Sequence, residues 1–424
     1  MIEVSRTHSD NLIPNAEFSM SRLISAVLLV GFVLGIGPPP THGQTAPIAN
    51  VTDVASLPVP DCDGVALGDI DRDGTVDLLT SSGAEGGVFW FEQKNGPTDW
   101  QRHTIYGDAT EIEGNDLVDV DGDGQLEVLS MDQETGEILL HRPVNDPRAE
   151  WKTTAIQSGR LFVQASLATD VDGDDRPELV YTWEGTEAGT GGVHWLDYEG
   201  GPVHEADSWT DHRMIVHESA WWLAPRRVDV NGDGLAREIL YTARNLKNRN
   251  PEAEPGLFWI EPGRDSTTRW QRHAIDTTLS HPLHVDVGQF SADESNRDVV
   301  VGGFETETLS YYMGADSWQR HDLDVPTLNE KPFNDMWNVK ALPLPNKKRD
   351  AMLAVLSRSS KSAMVLYYPH DDQYRRRVLK RMSYTHPMDD RLVLRDLTGD
   401  DRPEMIVPDS GGGTLSIYRF EGSD

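Results

Sequence analysis

Five acidic stretches of nearly one design recur along this chain of 424 residues, and they constrain its fold more than any other feature. They begin Asp69-Ile-Asp71-Arg-Asp73-Gly74, Asp119-Val-Asp121-Gly-Asp123-Gly124, Asp170-Val-Asp172-Gly-Asp174-Asp175, Asp229-Val-Asn231-Gly-Asp233-Gly234 and Asp396-Leu-Thr398-Gly-Asp400-Asp401. Alternate oxygen-bearing side chains followed by a turn residue suit a hard cation such as Ca²⁺, which takes about six to eight oxygens at roughly 2.4 Å. A helix–loop–helix calcium motif is excluded, because position twelve after Asp69 is Thr80 rather than Glu. The last acid falls at position nine instead, as Asp77, Glu127, Glu178 and Glu404. Short apolar runs such as Leu78-Leu79 and Val128-Leu129 follow it, so the spacing predicts strand–loop–strand sites.

Two further signatures travel with the acidic loop. One is a Gly-led aromatic strand, clearest at Gly87-Val-Phe-Trp-Phe91, Gly192-Val-His-Trp-Leu196 and Gly256-Leu-Phe-Trp-Ile260; weaker copies bring the count to seven. The other is a Trp-led strand, as in Trp100-Gln-Arg-His-Thr-Ile105, Trp270-Gln-Arg-His-Ala-Ile275 and Trp318-Gln-Arg-His-Asp-Leu323. From Asp69 to Asp396 is 327 residues (396 − 69) over six steps, or about 54 per unit. Four strands per unit, at a period a little above about 40–50 residues, predict an all-β fold. The expected architecture is a single seven-bladed β-propeller of four-stranded antiparallel blades. Only Glu421-Gly-Ser-Asp424 follows Phe420, which leaves the seventh unit without a fourth strand. The strand-like segment 48–57 is expected to supply it and close the ring, protecting edges that would otherwise stay unpaired.

Upstream, Met20-Ser-Arg22 precedes an apolar run at 23–37 and then small residues, the pattern of a secretory signal. Residues 1–43 are therefore read as a signal peptide with Met20 as the true start, and 44–424 as the propeller. The run is shorter than the roughly 20 residues of a membrane span, although a retained anchor is the alternative. A secreted or periplasmic monomer is expected. The net charge of −32, from 70 acidic and 38 basic residues, argues against nucleic acid and anionic membranes as partners. A lone cysteine, Cys62, excludes an intrachain disulfide framework. Stability must then come from core burial, ring closure and metal.

The run Ala66-Leu-Gly68-Asp69-Ile70-Asp71-Arg-Asp73-Gly74-Thr-Val-Asp77-Leu-Leu79, followed by a Gly-led strand, resembles the FG-GAP/VCBS repeat family. That family includes the propeller of integrin α subunits, and the resemblance extends from Asn50 to the C-terminus. It implies that each acidic loop joins the first and second strands of a blade and binds Ca²⁺. The implied ligands are Asp69, Asp71, Asp73 and Asp77; Asp119, Asp121, Asp123 and Glu127; and Asp170, Asp172, Asp174 and Glu178. Asp229, Asn231 and Asp233, with Asp396, Asp400 and Glu404, complete them. Departures weaken some loops: Asp stands at position six in the third and last, Thr398 is a poorer ligand, and an extra residue moves Glu238 to position ten. In the fifth unit Gly288-Gln-Phe-Ser291 replaces the acidic start. The sixth carries Pro345, Lys347 and Lys348 and is expected to have lost its metal.

In a propeller, the links from each fourth strand to the next inner strand lie opposite the acidic loops, around the channel. Here they hold Trp221, Trp222, Trp337 and His284, candidate ligand-binding residues, because aromatic rings stack on the C–H faces of sugars. The favoured function is a calcium-stabilised interaction module for carbohydrate or a cell-surface protein, with no catalytic residue. His103, His273 and His321 recur blade by blade and are read as structural. The alternative is an enzyme, since the strands also look like the propeller of aldos-2-ulose dehydratase. That likeness implies a lyase or dehydratase site, with His281, His284, His386 and Asp389 as candidates. Against it stand the missing cupin domains of that enzyme and the lack of a Ser/His/Asp motif.

Overall fold

Apolar runs set between tight turns form strands throughout the chain, and these pair into seven four-stranded antiparallel sheets. The computed structural model describes residues 48–422 apart from 186–188, 225, 245–252, 264–268, 293–296, 305–307, 315–316, 345–346, 360, 383–391 and 401. The proposed signal segment, His386 and Asp389 lie outside the described residues. A three-residue 3₁₀ turn, Ala206–Ser208, is the one helical element among those described.

From the inside out, blade 1 takes Cys62–Gly68, Asp77–Ser82, Gly87–Gln93 and Trp100–Tyr106. Blade 2 takes Ile112–Val118, Glu127–Asp132, Glu137–Pro143 and Trp151–Gln157. Blade 3 is Val163–Thr169, Glu178–Trp183, Gly192–Tyr198 and Trp209–Val216; blade 4 is Ala220–Leu223, Ile239–Ala243, Gly256–Pro262 and Trp270–Asp276. Pro282–Gly288, Asp298–Gly303, Leu309–Met313 and Gln319–Leu323 make blade 5. Asp335–Leu342, Ala351–Arg358, Lys361–His370 and Gln373–Met382 make blade 6. Blade 7 joins Val393–Arg395, Glu404–Asp409 and Thr414–Gly422 to the N-terminal strand Ile48–Pro58. That last pairing runs antiparallel from Ile48 opposite Gly422 to Pro58 opposite Thr414, as expected from the sequence.

The apolar residues sort into seven clusters, one between each pair of neighbouring blades. Between blades 1 and 2, for instance, Leu79, Val88 and Trp90 pack on Ile112 and Val128. The second position of each acidic loop joins this packing, with Ile70, Val120, Val171 and Leu397 all buried. An Asp-x-Asp loop thus has an apolar second residue because that side chain plugs the seam between blades. Each such burial stabilises by about 1.5–3 kcal/mol.

One departure from the repeat pattern has a titratable consequence. His141 of blade 2 is fully buried, with Ser130 Oγ 2.7 Å from Nε2 and Thr153 Oγ1 2.8 Å from Nδ1. Burial pulls its pKa down to about 3, from an ordinary value of 6.5. Between those values the unfolded ring holds a proton that the native ring refuses. This part of the stability is full above pH 6.5 and is lost as the pH falls toward 3. At pH 5 the loss is about 2 kcal/mol. Between pH 7 and pH 5, urea titrations of the wild type and of His141→Gln should diverge by about 2 kcal/mol to the disadvantage of the wild type; equal changes in both proteins would sink the assignment.

Candidate metal centres and the channel

Each acidic loop joins the first and second strands of its blade and is organised by its own carboxylates. In blade 1 the Asp73 N–H donates to Asp69 Oδ1 at 3.0 Å and to Asp71 Oδ1 at 3.1 Å. The Gly74 N–H reaches Asp69 Oδ2 at 3.0 Å, and the Thr75 N–H reaches Asp73 Oδ1 at 2.8 Å. The same bonds recur in blade 3, from Asp174, Asp175 and Arg176, and in blade 4, from Asp233, Gly234 and Leu235. Asp71, Asp73, Asp172, Asp174 and Asp233 therefore spend one oxygen on the loop backbone and keep a second for another partner, whereas Asn231 has only its amide nitrogen left over.

Position six takes up a left-handed conformation, with φ of +89° at Gly74, +81° at Gly124 and +89° at Gly234. Asp175 holds φ +68° at that place in blade 3, which costs an L-residue energy that glycine avoids. Asp175→Gly is expected to stabilise the protein by about 0.5 kcal/mol, the αL strain relieved less the extra unfolded entropy of glycine. Denaturant midpoints will check this, and a lower midpoint for the variant would contradict it.

The position-nine acid is more than a ligand candidate. Asp77 is fully buried and accepts the Ile70 N–H at 3.0 Å and the Gln93 N–H at 3.1 Å. Glu127, Glu238 and Glu404 likewise accept the N–H of loop position two, from Val120, Val230 and Leu397 at 3.1, 3.0 and 2.9 Å; Glu178 accepts it from Val171. Glu238 makes this bond despite the extra residue in its loop. Blade 5 keeps it too, through Asp298 and the Phe290 N–H at 2.7 Å, although its acidic start is gone. Without an ion, burial pushes Asp77, Glu127 and Glu238 up to about 7 and Glu178 to about 8. Negative charge at these places is costly until a cation compensates it.

Oxygen atoms converge in three loops: Asp69, Asp71 and Asp77; Asp119, Asp121 and Glu127; and Asp170, Asp172, Asp174 and Glu178, each set within 4.8 Å. All-oxygen sets of this kind suit a hard cation rather than a softer metal. Asp73 joins a further group with Asp71 and Glu92. Among the described residues no such trio forms from the acids of the loops at Asp229 and Asp396.

Glu92 was not singled out from the sequence. It lies on the third strand of blade 1, and Asp197 and Glu261 take its place in blades 3 and 4, each two residues after a Trp. His103 hydrogen-bonds Glu92 at 2.9 Å and stacks on Trp90 with ring centroids 4.5 Å apart. His273 repeats this with Glu261 at 2.8 Å and Trp259 at 4.0 Å. His212 lies 3.8 Å from Asp197 and stacks on Trp195 at 4.5 Å. His103 and His273 are thus carboxylate holders stacked within their blades, while His321 of blade 5 stacks on Tyr311 at 4.9 Å. Burial raises the pKa of Glu92, but hydrogen bonds from Arg148, Lys94 and His103 outweigh it and hold the carboxyl down at about 2.

The inner strands surround a cavity of about 570 Å³. Gly64–Asp69, Asn115, Gln164, Ser166, Trp222, Lys340 and Arg395 line it, together with Gly74–Val76 from the first acidic loop. It therefore reaches the acidic-loop end, not only the opposite links where ligand residues were expected. Trp222 is the predicted ligand residue found in this lining, with its ring edge-on to His284 at 4.5 Å. Trp221 instead lies beneath the Arg244 guanidinium, 3.2 Å from its ring centroid. His284 is buried, and the His281 carbonyl accepts the Phe304 N–H at 2.9 Å. The convergent groups of metal-ligating side chains among the described residues contain neither histidine. For Trp337 the structure describes the backbone strand alone.

Residues 69–130 match the family model described as the FG-GAP-like repeat. No curated protein matches the chain. Among solved structures, BBS1N in complex with ARL6DN, soaked with mercury, is 10% identical at a TM-score of 0.50. That alignment covers 89% of this chain and 97% of the other. Sqt1 of Saccharomyces cerevisiae is also 10% identical at 0.50, over 88% of this chain and 100% of the other. Identities this low speak to the fold alone. The chain is a seven-bladed β-propeller, and its residues 69–130 match the FG-GAP-like repeat.

Proposed function

We propose that this chain is a secreted, calcium-stabilised propeller that binds carbohydrate at its channel. One observation carries the calcium part: loops whose backbone is already wound around Asp-x-Asp side chains, with further carboxylate oxygens converging beside them. The ion's role is structural, drawing together carboxylates that would otherwise repel at the blade turns. A site held at a calcium concentration about a hundred times its Kd adds about 2.7 kcal/mol of stability. Asp71→Asn should therefore bind one ion fewer, and a chelator should lower the melting temperature of the wild type. A midpoint indifferent to the chelator would refute the calcium reading.

Carbohydrate is favoured because Asn115, Gln164 and Ser166 line the cavity together with Trp222, an indole otherwise buried between blades 3 and 4, a mixture of apolar and hydrogen-bonding groups. The signal pattern before residue 44 supports secretion, and among the described residues no helix is long and apolar enough to cross a membrane. A glycan array with and without chelator is the direct test. Binding lost in Trp222→Ala supports the sugar reading. Silence on glycans together with capture of an extracellular protein would replace it with a protein partner.

A further inference from the structure

We infer that in blades 2 and 7 an arginine of the third strand takes the place of the metal ion, so that those two acidic loops stay closed without calcium. The inference rests on the calcium reading of the other loops and limits it. It concerns the residue that faces the position-nine acid across the sheet. Val128 pairs with His141, which sets Arg142 opposite Glu127, and Glu404 pairs directly with Arg419. The same registers set Glu92 opposite Asp77, Asp197 opposite Glu178 and Glu261 opposite Glu238. One repeat position is thus a carboxylate in blades 1, 3 and 4 and an arginine in blades 2 and 7.

Two other positions switch with it. Where the carboxylate stands, a Trp lies two residues earlier and a His lies across from that Trp. Where the arginine stands, those places hold Leu140 with Thr154, and Ile417 with Ala55. In the two arginine blades the orienting His is absent together with the carboxylate, whereas blade 5 keeps His321 across from Tyr311 with Met313 in the carboxylate's place. Coordinated change at three positions argues for two kinds of blade rather than for drift in one.

The contacts agree. Arg142 Nη1 lies 2.8 Å from Asp121 Oδ2 and 2.6 Å from Glu127 Oε1, while its Nη2 bonds Asp123 Oδ2. Arg419 bonds Glu404 Oε1 through Nε at 2.9 Å and Nη2 at 2.7 Å. Glu127 and Glu404 are both fully buried, so a charge there needs a partner of opposite sign, which the guanidinium supplies within the chain. A calcium ion in the same loop would sit beside that positive charge and compete for the same oxygens. Blade 1 differs: its nearby guanidinium, Arg148, comes from the turn of blade 2 and bonds Asp71 and Glu92, while Asp77 keeps its two backbone partners.

Native mass spectrometry of the full-length protein in calcium, beside thermal melts in chelator, decides this. Asp172→Asn in blade 3 should release one ion, whereas Asp121→Asn in blade 2 should release none. Arg142→Glu, which restores the carboxylate pattern, should gain one ion and melt lower than the wild type in chelator. An ion lost by Asp121→Asn from the otherwise native chain overturns the inference, and this arm stands even if Arg142→Glu fails to fold. Should the wild type bind no calcium at all, the calcium reading fails separately. The arginine is then judged in chelator alone: a lower midpoint for Arg142→Met supports its role, and an unchanged one overturns it.

Discussion

A chain that starts at Val59, without Ile48–Pro58, is expected to lose cooperative folding. The missing strand is the outer strand of blade 7, and its partner, Thr414–Gly422, would become a free edge. Two blade seams lose members at once: Ile48 and Val51 leave the cluster between blades 6 and 7, and Leu57 leaves the one between blades 7 and 1. Three buried aliphatic side chains are worth roughly 5–9 kcal/mol at about 1.5–3 each. A protein's net stability is only about 5–15 kcal/mol. The cross-blade ties from Arg377 Nη1 to the Ile48 carbonyl at 3.3 Å and from Lys380 to Asp53 go as well. Circular dichroism melts should show no sharp transition, and gel filtration should show association through the exposed edge. A single transition near the wild-type midpoint would mean that the ring does not depend on this closure.

The second large effect is expected at Asp77. Truncation to alanine orphans two buried N–H groups, of Ile70 and Gln93, at about 1–3 kcal/mol each, for a total of roughly 2–6 kcal/mol. Asp77→Asn keeps one acceptor oxygen and should cost about half as much. Both variants are to be measured by urea denaturation in chelator, so that loss of a metal ligand does not enter. A cost below about 1 kcal/mol for the alanine variant would show that the latch contributes little. Asp298→Ala is a useful companion, because it removes the same latch from a blade whose loop has lost its acidic start.

The parts of this protein that were legible beforehand are those whose partners are neighbours in sequence. Asp69, Asp71, Asp73 and the turn at Gly74 interact across five residues or fewer, so spacing alone announces the loop. Closure by 48–57 was legible for a different reason, since seven third strands with one fourth strand missing leave a vacancy that this segment fits. The hairpin Thr327–Leu328 with Lys331–Pro332 escaped notice because its turn, Asn329-Glu330, reaches φ of +52° and +66° without a glycine to mark it.

Period, strand type, blade count and the acidic loops follow from the order of residues alone, since each is a local pattern repeated until a ring becomes its economical solution. Which charge faces which across a sheet does not. Glu92, Arg142 and Arg419 meet their loops only through strand register, across 15 residues in each case (92 − 77, 142 − 127, 419 − 404). The bond between the Gln289 N–H and Asp350 Oδ2, at 2.9 Å, even joins two different blades. Tertiary pairing therefore decided which acidic loops carry a built-in cation, because a one-residue slip would have turned those same side chains to the other face of the sheet.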